Sequence, residues 1–219
     1  MLDYKSIKAD PTVRAYVRAA DEALTALGYT EHSFAHVESV AKRAGDVLAD
    51  LGYPARTVEL VRIAAFLHDI GNVVNRVGHS QSGALMAHRI LSELGMAAEE
   101  VTAVIMAIGN HDEGEGVPVS DMAAALILAD KSDVRRSRVR GSGIGSDDIH
   151  DRVNYSVIAS ALSVDREAGR IVLSITLDTA ISPVIDFFEI FLERMLLCKR
   201  AAGRLGMSFG LVINGETVA

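Results

Sequence analysis

The chain has one cysteine, Cys198, in 219 residues. No internal disulfide can form, which fits a reducing compartment. Cys198 itself falls in a helical apolar pattern and reads as core. Runs of about 18 consecutive apolar residues are also missing, so no membrane-spanning helix is expected. Charged and polar residues follow Met1, not the apolar stretch of a secretory leader. Together these absences lead us to expect a cytoplasmic protein. A basic excess is lacking too: 22 Lys and Arg stand against 29 Asp and Glu, a formal net charge of −7. Duplex nucleic acid calls for a basic face and is not an expected partner. A small anionic ligand stays compatible, because a bound cation inverts the local charge. Internal repeats and low-complexity tracts are absent.

Hydrophobic residues make up 49% of the chain and charged residues 23%, a balance of folded rather than disordered sequences. The length admits one large domain or a domain with an appendage. Residues 1 to about 136 read as helix after helix. Pro11-Thr12 opens the first, which stops at Gly28. The second runs from about Phe34 to Leu51, with Gly52 as its stop signal. Pro54 opens the third, which ends near Gly71; a fourth starts near Ser80 and ends at Gly95. A fifth covers about Ala97 to Gly109, and Ser120 caps a sixth that runs to about Arg136. Residues 137–150 lack an apolar period and read as a loop. Then β-branched residues take over: SVIASALSVD and RIVLSITLD, joined by Arg166 to Gly169, predict a β-hairpin. A helix from Pro183 to about Gly206 and a short strand, FGLVIN, complete the chain. The expected fold class is mainly α: a helical domain over 1–150 and a small C-terminal α+β appendage over 151–219.

His68-Asp69 closes the apolar run LVRIAAFLHDIGN. An ionisable pair at the inner end of such a run is costly to desolvate without a partner, and a metal ion is the usual one. Helical spacing puts His36 with Val40, Val47 and Leu51 on or beside a buried face. Asp130 shares a face with Ala123 and Leu126 inside AAALILADKSD, where an unpaired carboxylate would be costly. His79 and His111 add two more ligand-type side chains. Taken singly, His36 reads as a hydrogen-bonded core residue, His111 as a helix-end charge partner, His79 as an exposed loop residue and Asp130 as the partner of Lys131 or an arginine. Taken together they make an N/O donor set suited to Fe, Mn, Co, Ni, Zn or Mg.

This order resembles the HD superfamily of metal-dependent phosphohydrolases, whose pattern is a His, then His-Asp, then a later Asp. The matching text is HVESVAKRAGDVLADLG around His36, AAFLHDIGN at the pair and LILADKSD at Asp130. GHSQSGALMAHRIL followed by AIGNHDE is similar to the two extra histidines of HD-domain phosphodiesterases, among them HD-GYP proteins, ribonuclease Y-type domains and YqeK-like dinucleotide hydrolases. The match covers roughly residues 30 to 140. It implies an HD-domain helical bundle with one or two divalent metal ions held by His36, His68, Asp69, His79, His111 and Asp130, Asp69 bridging the two. It further implies a small phosphorylated substrate, a nucleotide or another phosphate ester, attacked by metal-activated hydroxide. Asp69 would orient the nucleophile; Lys131 reads either as a contact to the phosphate or as a solvated helix lysine. The chain departs from the family at Asn72, where many relatives carry Lys, and lacks the GYP motif after His111, so cyclic di-GMP hydrolysis is not implied. From residue 151 on it matches none of those three families.

Around this set, Arg135, Arg136, Arg138 and Arg140 read either as a solvated helix end or as a phosphate clamp, with Arg135 and Arg138 as substrate contacts. Gly141, Gly143 and Gly145 would then form a lid. Asn110, Asp112 and Glu113 flank His111 and read as outer-sphere groups. His88 reads as structural, His32 and His150 as surface. Two other functions share the same ligand types: an HD-fold diiron oxygenase, and a non-enzymatic nucleotide-sensing or assembly module. The apolar helix DFFEIFLERMLLC leads us to expect a homodimer through the appendage.

Overall fold

A computed structural model describes residues 2–140 and 148–219. The proposed glycine lid, Gly141, Gly143 and Gly145, lies outside the described residues. The fold is mainly α with a small C-terminal sheet. Helix α1 (Tyr4–Ala9) was not legible in the pattern: it is six residues long and buries only Ile7. Helix α2 (Pro11–Ala26) starts where Pro11 opens it, with the Asp10 carboxylate accepting from the Thr12 and Val13 amides. Helices α3 (Phe34–Asp50), α4 (Ala55–Leu67), α5 (His79–Glu93) and α6 (Ala98–Gly109) fall close to the expected spans.

Helix α7 (Asp121–Lys131) is buried from Met122 to Lys131, which makes it the central rod of the bundle. Ser120 caps it, as the sequence suggests, but it stops five residues short of Arg136. The reason is competition for the backbone beyond Lys131. The Ser132 carbonyl accepts from Arg43 and from the Ser160 hydroxyl, and the Asp133 carboxylate turns toward α3. The expected 137–150 loop is bounded by regular structure: Arg136–Arg138 form a 3-10 turn, and α8 (Ile149–Ser156) begins at its far end.

Strands β1 (Val157–Asp165) and β2 (Arg170–Leu177) make the expected antiparallel hairpin. Strand β3 (Ser208–Ile213) lies parallel to β2. Parallel pairing needs a long crossover, and α9 (Val184–Arg204) provides it. A fourth strand, β4 (Glu216–Thr217), pairs with β3 across Asn214-Gly215, both at positive φ, the type of turn that favours Asn-Gly. Ile171, Leu173, Ile175 and Leu177 alternate inward along β2 and are buried. Helix α9 packs on α7, and one continuous apolar core runs from Ile7 to Ile213. Ile185, Leu192 and Leu196 remain exposed on α9. Among the described residues, no helix is long and apolar enough to cross a membrane.

Candidate metal centre

Each candidate ligand sits at or near a helix end. Ser33 caps α3, which sets His36 in its first turn. Helix α4 ends at Leu67; His68 is its last capping residue and Asp69 follows at φ −99°, ψ −1°. Leaving the helix at this point lets both neighbours face one centre, with His68 Nε2 only 3.1 Å from Asp69 Oδ2. Asn72, in the 3-10 turn Ile70–Val73, donates to the backbone carbonyl and Oδ1 of Asp69 at 2.9 and 3.0 Å. Asn72 therefore fixes the Asp69 carboxylate here. That turn lies flat against the start of α5. A Cβ on Gly71 would stand 2.0 Å from the His79 carbonyl and 2.5 Å from the Gly83 amide nitrogen, so only glycine fits. His79 opens α5, His111 follows α6, and Asp130 occupies the last turn of α7.

The six side chains converge. His36 Nε2 lies 3.4 Å from Asp130 Oδ1 and 3.6 Å from Asp69 Oδ2. His79 Nε2 is 3.5 Å from Asp69 Oδ1 and 3.2 Å from His111 Nε2. His36, His68 and Asp130 form one group with mutually close donor atoms; His68, Asp69 and His111 form another. Asp69 thus turns Oδ2 toward His36 and His68 and Oδ1 toward His79.

Hydrogen bonding at the far side of each ring decides what Nε2 can do. Nδ1 of His36 faces Asp133 Oδ2 at 2.7 Å, and Nδ1 of His68, His79 and His111 faces the carbonyls of Ala65, Arg76 and Ile108. An oxygen acceptor at Nδ1 fixes the proton there and leaves a lone pair on Nε2. Nε2 of both His36 and His68 is buried with no hydrogen-bond partner. Lone pairs of His79 and His111 face each other, an arrangement that repels unless a cation lies between.

A proton serves poorly as that cation. Burial, together with the charges of His68 and Lys131, holds His111 well below the usual imidazole range, and burial also lowers His79. Burial opposes charge on His68 too, but Asp69 and Asp130 outweigh it and push the group up to about 10. The same field that would hold a proton at His68 favours a metal ion. The donor chemistry therefore fits one or two divalent cations of the N/O-preferring kind.

A cavity of about 30 Å³ lies at these ligands, and every side chain lining it is ionisable. Lys131 reaches it, with Nζ 2.6 Å from Asp130 Oδ2 and 3.5 Å from Glu113 Oε1. Burial disfavours the Lys131 charge, yet Asp130 and Glu113 raise its pKa above the ordinary lysine value. Arg138 also lines the cavity, while Arg135 is spent on Asp133, Glu31 and Ser137. Arg136 holds the Tyr155 carbonyl and Arg140 the Asp21 carboxylate, so neither joins a clamp here. Asp112 Oδ2 is 3.9 Å from His79 Nδ1; Asn110 bonds back to the Met106 carbonyl.

Two histidines depart from expectation. His32 is no surface residue: it lines the cavity, and its ring meets His36 edge-on with centroids 5.4 Å apart. His88, read as structural, is exposed. The sequence reading also passed over Asp133, Arg76 and Arg194. Asp133 lies in the quoted LADKSD stretch three residues after Asp130 and was an available signal; Arg194 is one of several charged residues on its helix and carried none.

No curated protein matches the chain. The family model described as the HD domain matches residues 33–135. That span begins at the cap of the helix bearing His36 and ends just beyond Asp133, so it encloses the whole His/Asp cluster. Residues 33–135 accordingly match the HD domain of metal-dependent hydrolases, and the His/Asp cluster is consistent with an HD metal site.

Proposed function

We propose that the protein is a phosphohydrolase acting on a nucleotide or another small phosphate ester, with His36, His68, Asp69, His79, His111 and Asp130 holding one or two divalent ions. A divalent metal, when bound, acidifies water and neutralises phosphoryl charge. The observation that carries the reading is the cationic wall beside the ligands: Arg76, Lys131, Arg138 and Arg194 all line the same cavity. Oxygen activation needs no such wall, whereas a phosphoryl group does. Asp69, oriented by Asn72, is placed to align a water for attack on phosphorus. Lys131, kept charged by Asp130 and Glu113, donates to a phosphoryl oxygen. The inner space holds about one water-sized group. A neighbouring cavity of about 450 Å³ shares His32, Arg76, Glu113, Arg138 and Arg194 with it and has room for the body of an ester.

A screen of phosphate esters and nucleotides with added Mn²⁺, Co²⁺, Ni²⁺, Zn²⁺, Fe²⁺ or Mg²⁺ tests this, run beside Asp69→Ala. Turnover of at least one ester that is lost in Asp69→Ala is expected. Activity that survives the substitution on every substrate would place the chemistry elsewhere.

A further inference from the structure

The function of the C-terminal unit is open, yet one of its side chains stands in the cavity wall. We propose that Arg194, carried by α9, binds the anionic group of the substrate, so that the C-terminal unit supplies part of the active site. This rests on the phosphohydrolase reading above.

Helix α9 is anchored by buried Phe191, Met195 and Cys198. Arg194 rises between these anchors, its guanidinium over the Phe191 ring at 4.5 Å from the centroid, which fixes its plane. Nη2 meets Glu113 Oε1 at 2.7 Å. Glu113 in turn lies 3.5 Å from Lys131 Nζ, and Lys131 lies 2.6 Å from Asp130 Oδ2. A chain of alternating charges thus connects a candidate metal ligand to the C-terminal helix.

Arg194 lines the cavity, and its Nε is buried without a hydrogen-bond partner. Arg135 and Arg136 also carry a buried unpartnered nitrogen, but neither lines the cavity. Of the other arginines of the wall, Arg138 is more committed and Arg76 uses Nη1 alone. Arg138 gives Nε and Nη1 to the carbonyls of Glu31 and Asp133, and Arg76 leans on Asn72 and His79. Arg194 therefore keeps Nε for a ligand, and with Nη2 released from Glu113 its fork matches two phosphoryl oxygens. Glu113 is then the stand-in partner that an arriving anion displaces.

Calorimetric titration of inorganic phosphate into the full chain loaded with Mn²⁺ tests the assignment, with Mn²⁺ affinity and thermal melting measured for each variant. Arg194→Gln is expected to weaken phosphate by about tenfold or more, the worth of one charge-assisted contact, with Mn²⁺ affinity unchanged. Arg194→Lys should fall between it and wild type. Glu113→Gln should tighten phosphate, because it frees Arg194 and Lys131 of a competing carboxylate. A merely structural Arg194–Glu113 pair predicts instead that both substitutions act in the same direction. Phosphate affinity at the wild-type level in both Arg194 variants overturns the assignment and leaves the phosphohydrolase reading intact. Should Arg194→Gln melt early, Arg194→Lys and Glu113→Gln carry the same test. No phosphate binding by the wild-type protein overturns the phosphoryl reading, and the assignment with it.

Discussion

Asp133 Oδ2 lies 2.7 Å from Nδ1 of His36, although 97 residues separate the two in sequence, and both side chains are fully buried. Burial alone would favour a protonated Asp133. The His36 hydrogen bond and the charges of Arg138 and Arg135 outweigh it and hold the carboxyl well below its usual range. Asp133 therefore acts as a permanent acceptor that keeps the His36 proton on Nδ1 and the lone pair of Nε2 toward the cavity. Asp133→Asn replaces a charged acceptor with an amide that can present either end. Divalent metal affinity should fall by about 10- to 100-fold, the usual scale for such outer-sphere partners. Chelator competition measures it, and wild-type affinity in the variant would remove Asp133 from this role. In the wild-type protein, metal at about 100 times its dissociation constant should add about 2.7 kcal/mol of stability over the chelated protein.

Gly71→Ala should disturb the centre without touching a ligand. Its Cβ would fall 2.0 Å from the His79 carbonyl, a backbone atom that cannot swing aside. Helix α5 must then shift, and His79 with it. A loss of about 1–3 kcal/mol in urea unfolding is expected, typical of an overpacked core, together with weaker metal binding. Retention of both values would show that the turn has slack.

Cys198 should be inert in the folded protein. Its side chain is 1% exposed, and burial pushes the thiol up to about 12. A thiol reagent should label the native chain far more slowly than the denatured chain, at pH 7 and at pH 9 alike. Native labelling as fast as labelling in denaturant would contradict the buried placement.

Acid should uncouple α4 from α6. Arg56 on α4 donates through Nε and Nη2 to Glu100 on α6, at 2.6 and 2.5 Å. That hydrogen bonding lowers the Glu100 pKa. A carboxylate with a folded-state pKa below its unfolded value stabilises above the unfolded value and loses that contribution as pH falls through the folded one. The urea midpoints of wild type and Glu100→Gln should differ near pH 6 and converge below about pH 4. A gap that widens in acid would reverse the sign.

Some of this was legible from residue order and some was not. Helix stops at Gly28, Gly52 and Gly95 were readable because each needs a left-handed backbone, and all three have positive φ. The end of α7 was not, because its cause lies in contacts with Arg43, Ser160 and His36 from other elements. Strand β4 had a local signal, Asn214-Gly215, but two paired residues leave no alternation to read. His32 carries no apolar period of its own; only the packing of its ring on His36 draws it into the wall.

The sequence by itself determined the helical class, the C-terminal hairpin and the identity of the candidate donor side chains, because periodicity and helix caps act over a few residues. Tertiary structure alone decided which nitrogen of His36 faces inward, since its acceptor is Asp133, 97 residues away; His68, His79 and His111 use the carbonyl three residues earlier. It also decided which cations reach the cavity. Of the arginines between 135 and 140, only Arg138 does, while Arg76 and Arg194 arrive from segments far apart in the chain. Charge placed by a distant helix leaves no local pattern, so the C-terminal unit's part in the wall could only be seen once α9 was packed on α7.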